Sequence, residues 1–530
     1  MSVQKIVVVG AGMVGSRFAG DLAAALERTG SEAHITVIGE EPHAAYNRVL
    51  LSEVIAGRTA LAALGLPSLP GRVTELRGSR VIAIDRLNKR VRTDDGVLLG
   101  YHKLVLATGA RARLPQIPGL SQDGEPAHGV RVLRTLDDAR GVIAAAAVGG
   151  RIAVLGGGVL GVEVATGLRD RGARVTLLHT GPTPMERQLD SESGLVLAAT
   201  LSDRGICVVG EADVIAAARA DGRLRGLALA DGRFVAADTV VVTVGTEPAT
   251  ELASAAGLSV DRGVLVGADL CSLDDGAIAA IGDCAQPPGG TTGLIGPGWE
   301  QARQLARQIA GEAPSAPANG ATSARAGERD IVRLKAGQIS AVTLGDPRLL
   351  SEQGPLRVVS LQDHTGRRNI RIATDGRSLR AAVCVGAPGI AAELQVTFER
   401  GLPIPADPSH LLIDRSLVAT PTGGTSINKI PDTATLCRCN GVTKGQVIAA
   451  YRSGDRSVDE VAQRTRATTG CGGCTAAVSD ALVWLASADP DQANAPASAA
   501  TASASGHQGP VGATGESAVR GMFPVVNTSP

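Results

Sequence analysis

The chain has 530 residues, 44% of them hydrophobic, which is enough for several buried cores and too much for one. Its 52 basic and 52 acidic side chains cancel and only 2% of residues are aromatic, so neither nucleic acid nor an anionic membrane is an expected partner. No run of about 18 apolar residues occurs, and the apolar stretch Ile6 to Gly15 is broken by glycines and lacks a cleavage site, so a cytoplasmic location is expected.

The N-terminus runs as an apolar strand from Lys5 into Gly10, Gly12 and Gly15, then a helix, Arg17 to Glu27. Glycine permits the tight turn at 10, close approach of a pyrophosphate at 12, and helix-on-strand packing at 15. The helix start then faces the phosphates with unpaired N–H groups. A second strand, His34 to Ile38, leads to Glu40, placed to accept the ribose hydroxyls of an adenosine. The pattern returns at Arg151, where an apolar strand enters Gly156, Gly158 and Gly161, a helix follows, and Arg174 to Leu178 forms the next strand. Two such folds predict two dinucleotides. Three further apolar strands end in glycine turns, at Thr108-Gly109, Gly245 and Gly282-Asp283.

The order of these motifs resembles the two-dinucleotide flavoprotein oxidoreductases. The resemblance implies FAD on the first glycine turn, NAD(P)H on the second, and Gly282-Asp283 at the flavin ribityl and phosphate. It implies a discontinuous FAD domain, residues 1–115 and 245–311, with the NAD(P)H domain 116–244 inserted. Ala45-Tyr46-Asn47-Arg48 and Leu51-Ser52 are similar to the flavin-facing segment of ferredoxin-reductase-type and nitrite-reductase-type members. Arg48 and Glu163 are the implied catalytic residues, Glu163 near the nicotinamide and Ser52 in the flavin segment. In several relatives a lysine follows that serine and pairs with the glutamate; here the position is Glu53, so no such pair is expected. Trp299-Glu300-Gln301-Ala302 corresponds to a helix start at the flavin pyrimidine edge. No cysteine precedes Cys207, so a redox thiol beside the flavin is excluded. Cys207, Cys271, Cys284 and Cys384 are isolated among apolar or small residues and read as inert. The second strand of the NAD(P)H fold ends Leu178-His179-Thr180, with neither an acid for NAD nor an arginine for NADP, although Arg187 follows. NADH is the favoured nucleotide.

Ala313 to Ala326, rich in Ala, Pro, Ser and Gly, reads as part of a linker over 312–328. Alternating apolar and polar residues then predict a small α+β reductase domain over 329–405, for example at Arg357 to Leu361 and Ala381 to Val385. In related flavoproteins a domain here covers the FAD and mediates dimerisation, hence an expected homodimer. Cys437 and Cys439 are followed, after 31 residues, by Cys471 and Cys474. Four thiols in two tight pairs suit a zinc or an iron–sulfur centre. The surrounding CRCNGVTKGQV and TRATTGCGGC resemble the bacterioferritin-associated-ferredoxin-like module, which implies a [2Fe-2S] cluster on these four cysteines in a small helical domain, 432–487, with helices Lys444–Arg452 and Ser457–Arg466. Residues 488–530 turn to Ala, Ser, Gly and Thr and read as a disordered tail.

The expected fold class is therefore α/β, with two Rossmann-like dinucleotide-binding domains, a small α+β domain and a helical [2Fe-2S] domain. GEEPHAAYNRVLLSEVIAG and PTPMERQLD make the whole similar to the N-terminal part of the NAD(P)H nitrite reductase large subunit, and equally to the electron-transfer subunit of assimilatory nitrate reductase. The full nitrite reductase continues into a sirohaem and [4Fe-4S] domain whose two cysteine pairs are absent from these 530 residues. A cytoplasmic electron-transfer reductase is expected, serving a separate molybdenum-containing nitrate reductase catalytic subunit or a nitrite reductase. A generic ferredoxin or rubredoxin reductase and a docking or regulatory iron–sulfur module are the rival readings. Between Cys437 and Cys474, six basic residues (Arg438, Lys444, Arg452, Arg456, Arg464, Arg466) against three acidic ones predict a positive face for docking.

Overall fold

β-Branched residues fill the first strand, Gln4–Val9, and from Ile6 onward it is buried, as a strand covered on both faces must be. The computed structural model describes residues 3–291, 293–312, 330–351, 353–413, 431–437, 442–468 and 474–488. Strand Gln4–Val9 pairs in parallel with Ala33–Gly39 on one side and Lys103–Leu106 on the other. Val73–Arg77 extends this parallel sheet at one edge and Ile278–Ala280, from far along the chain, closes the other. Helices Met13–Thr29 and Ile295–Ile309 share its core through Phe18, Leu22, Leu26, Ala302 and Leu305. The first helix is longer than the expected Arg17 to Glu27, because it begins immediately after Gly12.

A second, wholly parallel sheet has the strand order 130–132, 239–242, 151–155, 174–178, 207–209. Its helix Val159–Asp170 buries Val162, Val164 and Leu168. The third sheet is antiparallel, in the order 331–333, 341–344, 379–385, 368–374, 357–363, with helix Pro388–Arg400 packed on it. One core joins this sheet to the second fold and to the short helix Leu51–Ile55, through Leu168, Ile55, Leu334 and Val383.

Strands Thr435–Cys437 and Val442–Thr443 and helices Lys444–Arg452, Val458–Thr465 and Thr475–Ala488 make the small C-terminal module. Two capping boxes, Thr443 with Gln446 and Ser457 with Glu460, set where its first two helices begin. Apart from the last three residues of the final helix, these elements lie in a compact unit spanning Met1–Leu485. The expected linker, from 313, and tail, from 489, lie outside the described residues. No described helix is long and apolar enough to cross a membrane.

Candidate active site and electron-transfer centre

Between the first sheet and the second fold lies a cavity of about 1010 Å³, at the upper end of the roughly 300–1,000 Å³ usual for ligand clefts. Gly10, Gly12, Glu40, Arg48, Thr108, Gly109, Gly282 and Asp283 line it together. Ser52, Gly15, Gly156, Gly158, Gly161, Glu163, Gly245 and Glu300 do not.

Both glycine turns are built to receive an anion. Gly12 and Gly158 are the N-caps of their helices, neither cap is made by a side chain, and neither first turn holds an acid, so backbone N–H groups are left for a ligand. A Cβ on Gly158 would meet nothing within 4 Å, and one on Gly12 only the Arg48 guanidinium at 3.9 Å. The approach to both backbones is open. Gly15 and Gly161 serve packing instead, since a Cβ there would overlap the carbonyl oxygens of Gly10 and Gly156. Gly15→Ala is expected to yield protein with little or no bound flavin; stoichiometric flavin absorbance in that variant would contradict this role.

Arg48 projects into the cavity, held by an ion pair to Glu41, a 3.2 Å bond to the Arg134 carbonyl and the Tyr46 ring 5.0 Å away. Tyr46 donates to Glu41 at 2.7 Å and accepts from the backbone N–H of Leu136 at 2.9 Å. Burial pushes its phenol well above the ordinary tyrosine range, so it stays a neutral donor. Asp283 pairs with Arg134 at 2.7 Å, and Thr108 Oγ1 donates to the Ala249 carbonyl at 2.7 Å. Glu40 is exposed at the cavity edge, 3.9 Å from Arg80. Gly245 follows the strand Thr239–Val242, and its carbonyl accepts from the backbone N–H of Arg113 at 3.0 Å. Glu41 and Arg134 were not foreseen: lone charges between motifs carry no sequence signal, and only the fold aims them at the cavity.

Two expectations require correction. Helix Ile295–Ile309 starts four residues before Trp299, so Gly293 and Ile295, not residues 299–302, border the cavity. Glu300 is exposed and bonds Arg303 at 2.8 Å, while Gln301 accepts from the Gly282 N–H at 2.7 Å. The second concerns Glu163, which is 2% exposed and does have a lysine partner. Ser52 Oγ donates to it at 2.6 Å, and Lys335 reaches it with both its backbone N–H, at 2.8 Å, and its ammonium, at 2.9 Å. Glu53 pairs with Arg58, which bridges to Asp170 at 2.7 Å. The lysine absent beside Ser52 is thus supplied 283 positions later, by the connection between the first two strands of the third sheet.

In the C-terminal module, Cys437 and Cys474 are buried in one apolar cluster with Val447, Ala467 and Val478. The backbone N–H of Thr468 donates to Cys474 Sγ at 3.2 Å, a contact that favours a thiolate. Cys439 and Cys471 lie outside the described residues. Two buried thiols converging from a hairpin and a helix start fit the donor set of an iron–sulfur centre. Arg466 packs against the first helix, where its guanidinium lies 3.3 Å from the position a Cβ on Gly20 would take. Gly20 is about 12 Å along that helix from the cavity-lining Gly12, at 1.5 Å rise per residue.

Part of the expected positive face is buried or paired, while Arg452 is exposed and Arg438 lies outside the described residues. Lys444 is buried, pairs with Asp432 at 3.2 Å and lies over the Trp484 ring, and Arg464 pairs with Asp455. Arg456 sits over the Tyr451 ring at 4.1 Å. Among the isolated cysteines, Cys284 and Cys384 are buried and inert, with burial pushing the Cys384 thiol up to about 12. Cys207 is exposed instead, at the start of an edge strand.

Comparison with known proteins decides the family. The profile described as pyridine nucleotide-disulphide oxidoreductase matches residues 4–309. The chain belongs to that family. A second profile, the BFD-like [2Fe-2S] binding domain, matches residues 435–483. The chain is similar to the nitrite reductase [NAD(P)H] of Bacillus subtilis, 32% identical over 93% of this chain and 59% of that one. It is also similar to the assimilatory nitrate reductase electron transfer subunit of the same organism, 29% identical over 92% of this chain and 61% of that one. The chain thus spans about three-fifths of the length of these two relatives. Among solved structures, the putidaredoxin reductase–putidaredoxin complex superposes with a TM-score of 0.67 at 25% identity, covering 78% of this chain and 97% of that one. The chain is an NAD(P)H-dependent flavoprotein oxidoreductase whose cofactors are FAD, NAD(P)H and a [2Fe-2S] cluster.

Proposed function

We propose that this chain is a cytoplasmic reductase that draws electrons from NADH and delivers them to a separate nitrate- or nitrite-reducing catalytic protein. FAD, when bound, supplies two-electron acceptance and one-electron release, which matches a [2Fe-2S] cluster that takes electrons singly. Gly10, Gly12 and the first helix N-terminus would hold the pyrophosphate, Glu40 the adenosine ribose, and Gly282-Asp283 the ribityl region. Gly245, between the two folds, belongs to the chain's return to the FAD domain, residues 1–115 and 245–311. Arg48 would orient the flavin edge, and Ser52, Glu163 and Lys335 would fix the segment beside it. Cys437, Cys439, Cys471 and Cys474 would ligate the cluster.

The observation that carries the reading is the seating of Arg466 on Gly20, because it fastens the cysteine-bearing module to the helix whose first turn borders the flavin cavity. The similarity to both nitrate- and nitrite-reducing relatives supports the acceptor class. Four clustered cysteines in a chain of eight fit a reducing compartment better than a disulfide framework.

The test mixes this protein, NADH and a molybdenum-containing nitrate reductase catalytic subunit, anaerobically, and follows nitrite formation. Nitrite production dependent on this chain is expected. Equal production without it removes the proposed role, and turnover only with a nitrite reductase moves the acceptor one step along the same reduction.

A further inference from the structure

The second dinucleotide fold lacks an acid at the end of its second strand, yet the tertiary structure brings one there. Strand Arg174–Leu178 is followed by His179, which is 5% exposed. A Cβ on Gly157 would lie 2.6 Å from the His179 Cβ, and one on Gly210 3.2 Å from its Cε1, so the imidazole fills the space between the glycine turn and the neighbouring strand end. Neither ring nitrogen makes a side-chain hydrogen bond among the described residues, and burial lowers the imidazole pKa, so the ring is neutral. His179 is a packing residue, and the ribose acceptor must come from elsewhere.

The loop after it supplies a carboxylate. Met185 is buried with φ at 59°, a left-handed backbone that a non-glycine side chain adopts only under constraint. Its N–H is fixed to the carbonyl of Gly157, the middle residue of the glycine turn, at 2.8 Å, and its carbonyl accepts from Gln188 and Leu189. Leu189 is buried beside it in the same core. That anchored turn folds the exposed side chain of Glu186 back over Gly181, where a Cβ would overlap its Oε2; the Glu211 N–H holds the Gly181 carbonyl at 3.0 Å. The carboxylate therefore stands over Gly181, two residues beyond the buried His179 and next to the strand end, on a turn that Met185 ties to Gly157.

We infer that Glu186 is the acid that accepts the adenosine ribose hydroxyls, so that this fold selects NADH over NADPH. The physical reason is that of any strand-end acid: a carboxylate accepts both hydroxyls and repels a 2′-phosphate. The inference rests on the reading of Gly156, Gly158 and Gly161 as the NAD(P)H site. Arg187, the next residue, is the group that would instead favour the extra phosphate.

The test titrates the FAD-loaded full chain with NAD⁺ and with NADP⁺ by calorimetry, for the wild type, Glu186→Gln and Glu186→Asp, alongside steady-state NADH oxidation. The wild type should bind NAD⁺ more tightly. Glu186→Gln should weaken NAD⁺ by about tenfold, as expected for loss of a charge-assisted hydrogen bond, leave NADP⁺ unchanged or tighter, and raise KM for NADH at unaltered kcat. Glu186→Asp should recover part of the loss. Unchanged NAD⁺ affinity in Glu186→Gln overturns the assignment alone, as does a wild type that prefers NADP⁺. A wild type that binds neither nucleotide overturns the site reading together with it.

Discussion

Lys335→Met is expected to destabilise the chain by about 3 kcal/mol, the lower part of the range for breaking a buried ion pair from one side. The side chain of Glu163 is 2% exposed and that of Lys335 20%, so the carboxylate cannot turn to water when the ammonium is removed. Among the described residues it keeps only the Ser52 hydroxyl and the Lys335 backbone N–H. The lower figure applies because partial exposure lets solvent reach the place the ammonium leaves. Urea unfolding of the single variant, of Glu163→Gln and of the double variant measures the effect. The double variant should recover much of the loss, since replacing both partners removes the stranded charge. A Lys335→Met protein within about 0.5 kcal/mol of the wild type, the range of neutral surface changes, would show that the pair does not fasten the third sheet to the other folds.

The second large effect is expected at Cys474. Cys474→Ser should abolish cluster retention, because an iron deprived of one thiolate has an open coordination site. Iron content should fall to background and the visible spectrum reduce to that of flavin. NADH oxidation by a two-electron dye should survive, because the residues lining the flavin cavity lie between Val9 and Ile295, outside the module. Electron delivery to a one-electron acceptor protein should be lost. Retained iron would remove Cys474 from the ligand set. Joint loss of iron and flavin would show instead that the module, through Arg466 on Gly20, is needed for the flavin fold itself.

Periodicity and glycine spacing made much of the fold legible. The strand Arg174–Leu178 and helix Lys444–Arg452 have the boundaries that apolar pattern and the Thr443 cap dictate, because local chemistry decides both. The start of helix Ile295–Ile309 was misplaced by four residues, for Leu294 offers no side-chain cap to mark it. The positive face anticipated in the cluster module is smaller than the count suggests for a related reason: a count of charges does not show that Lys444 is buried against Trp484 or that Arg464 faces Asp455.

The sequence by itself determined two dinucleotide folds, the glycines that leave their helix starts open, and four thiols at cluster spacing, because each is a short-range pattern whose geometry the backbone enforces. Only the tertiary structure decided which groups meet: Lys335 at Glu163, Arg134 at Asp283, Arg466 at Gly20 and Glu186 at the strand end. The partners in the first three pairs lie more than a hundred positions apart, and the fourth meeting depends on one constrained turn at Met185. No local propensity encodes the first three meetings, since they exist only once packing of the separate folds has brought the groups together.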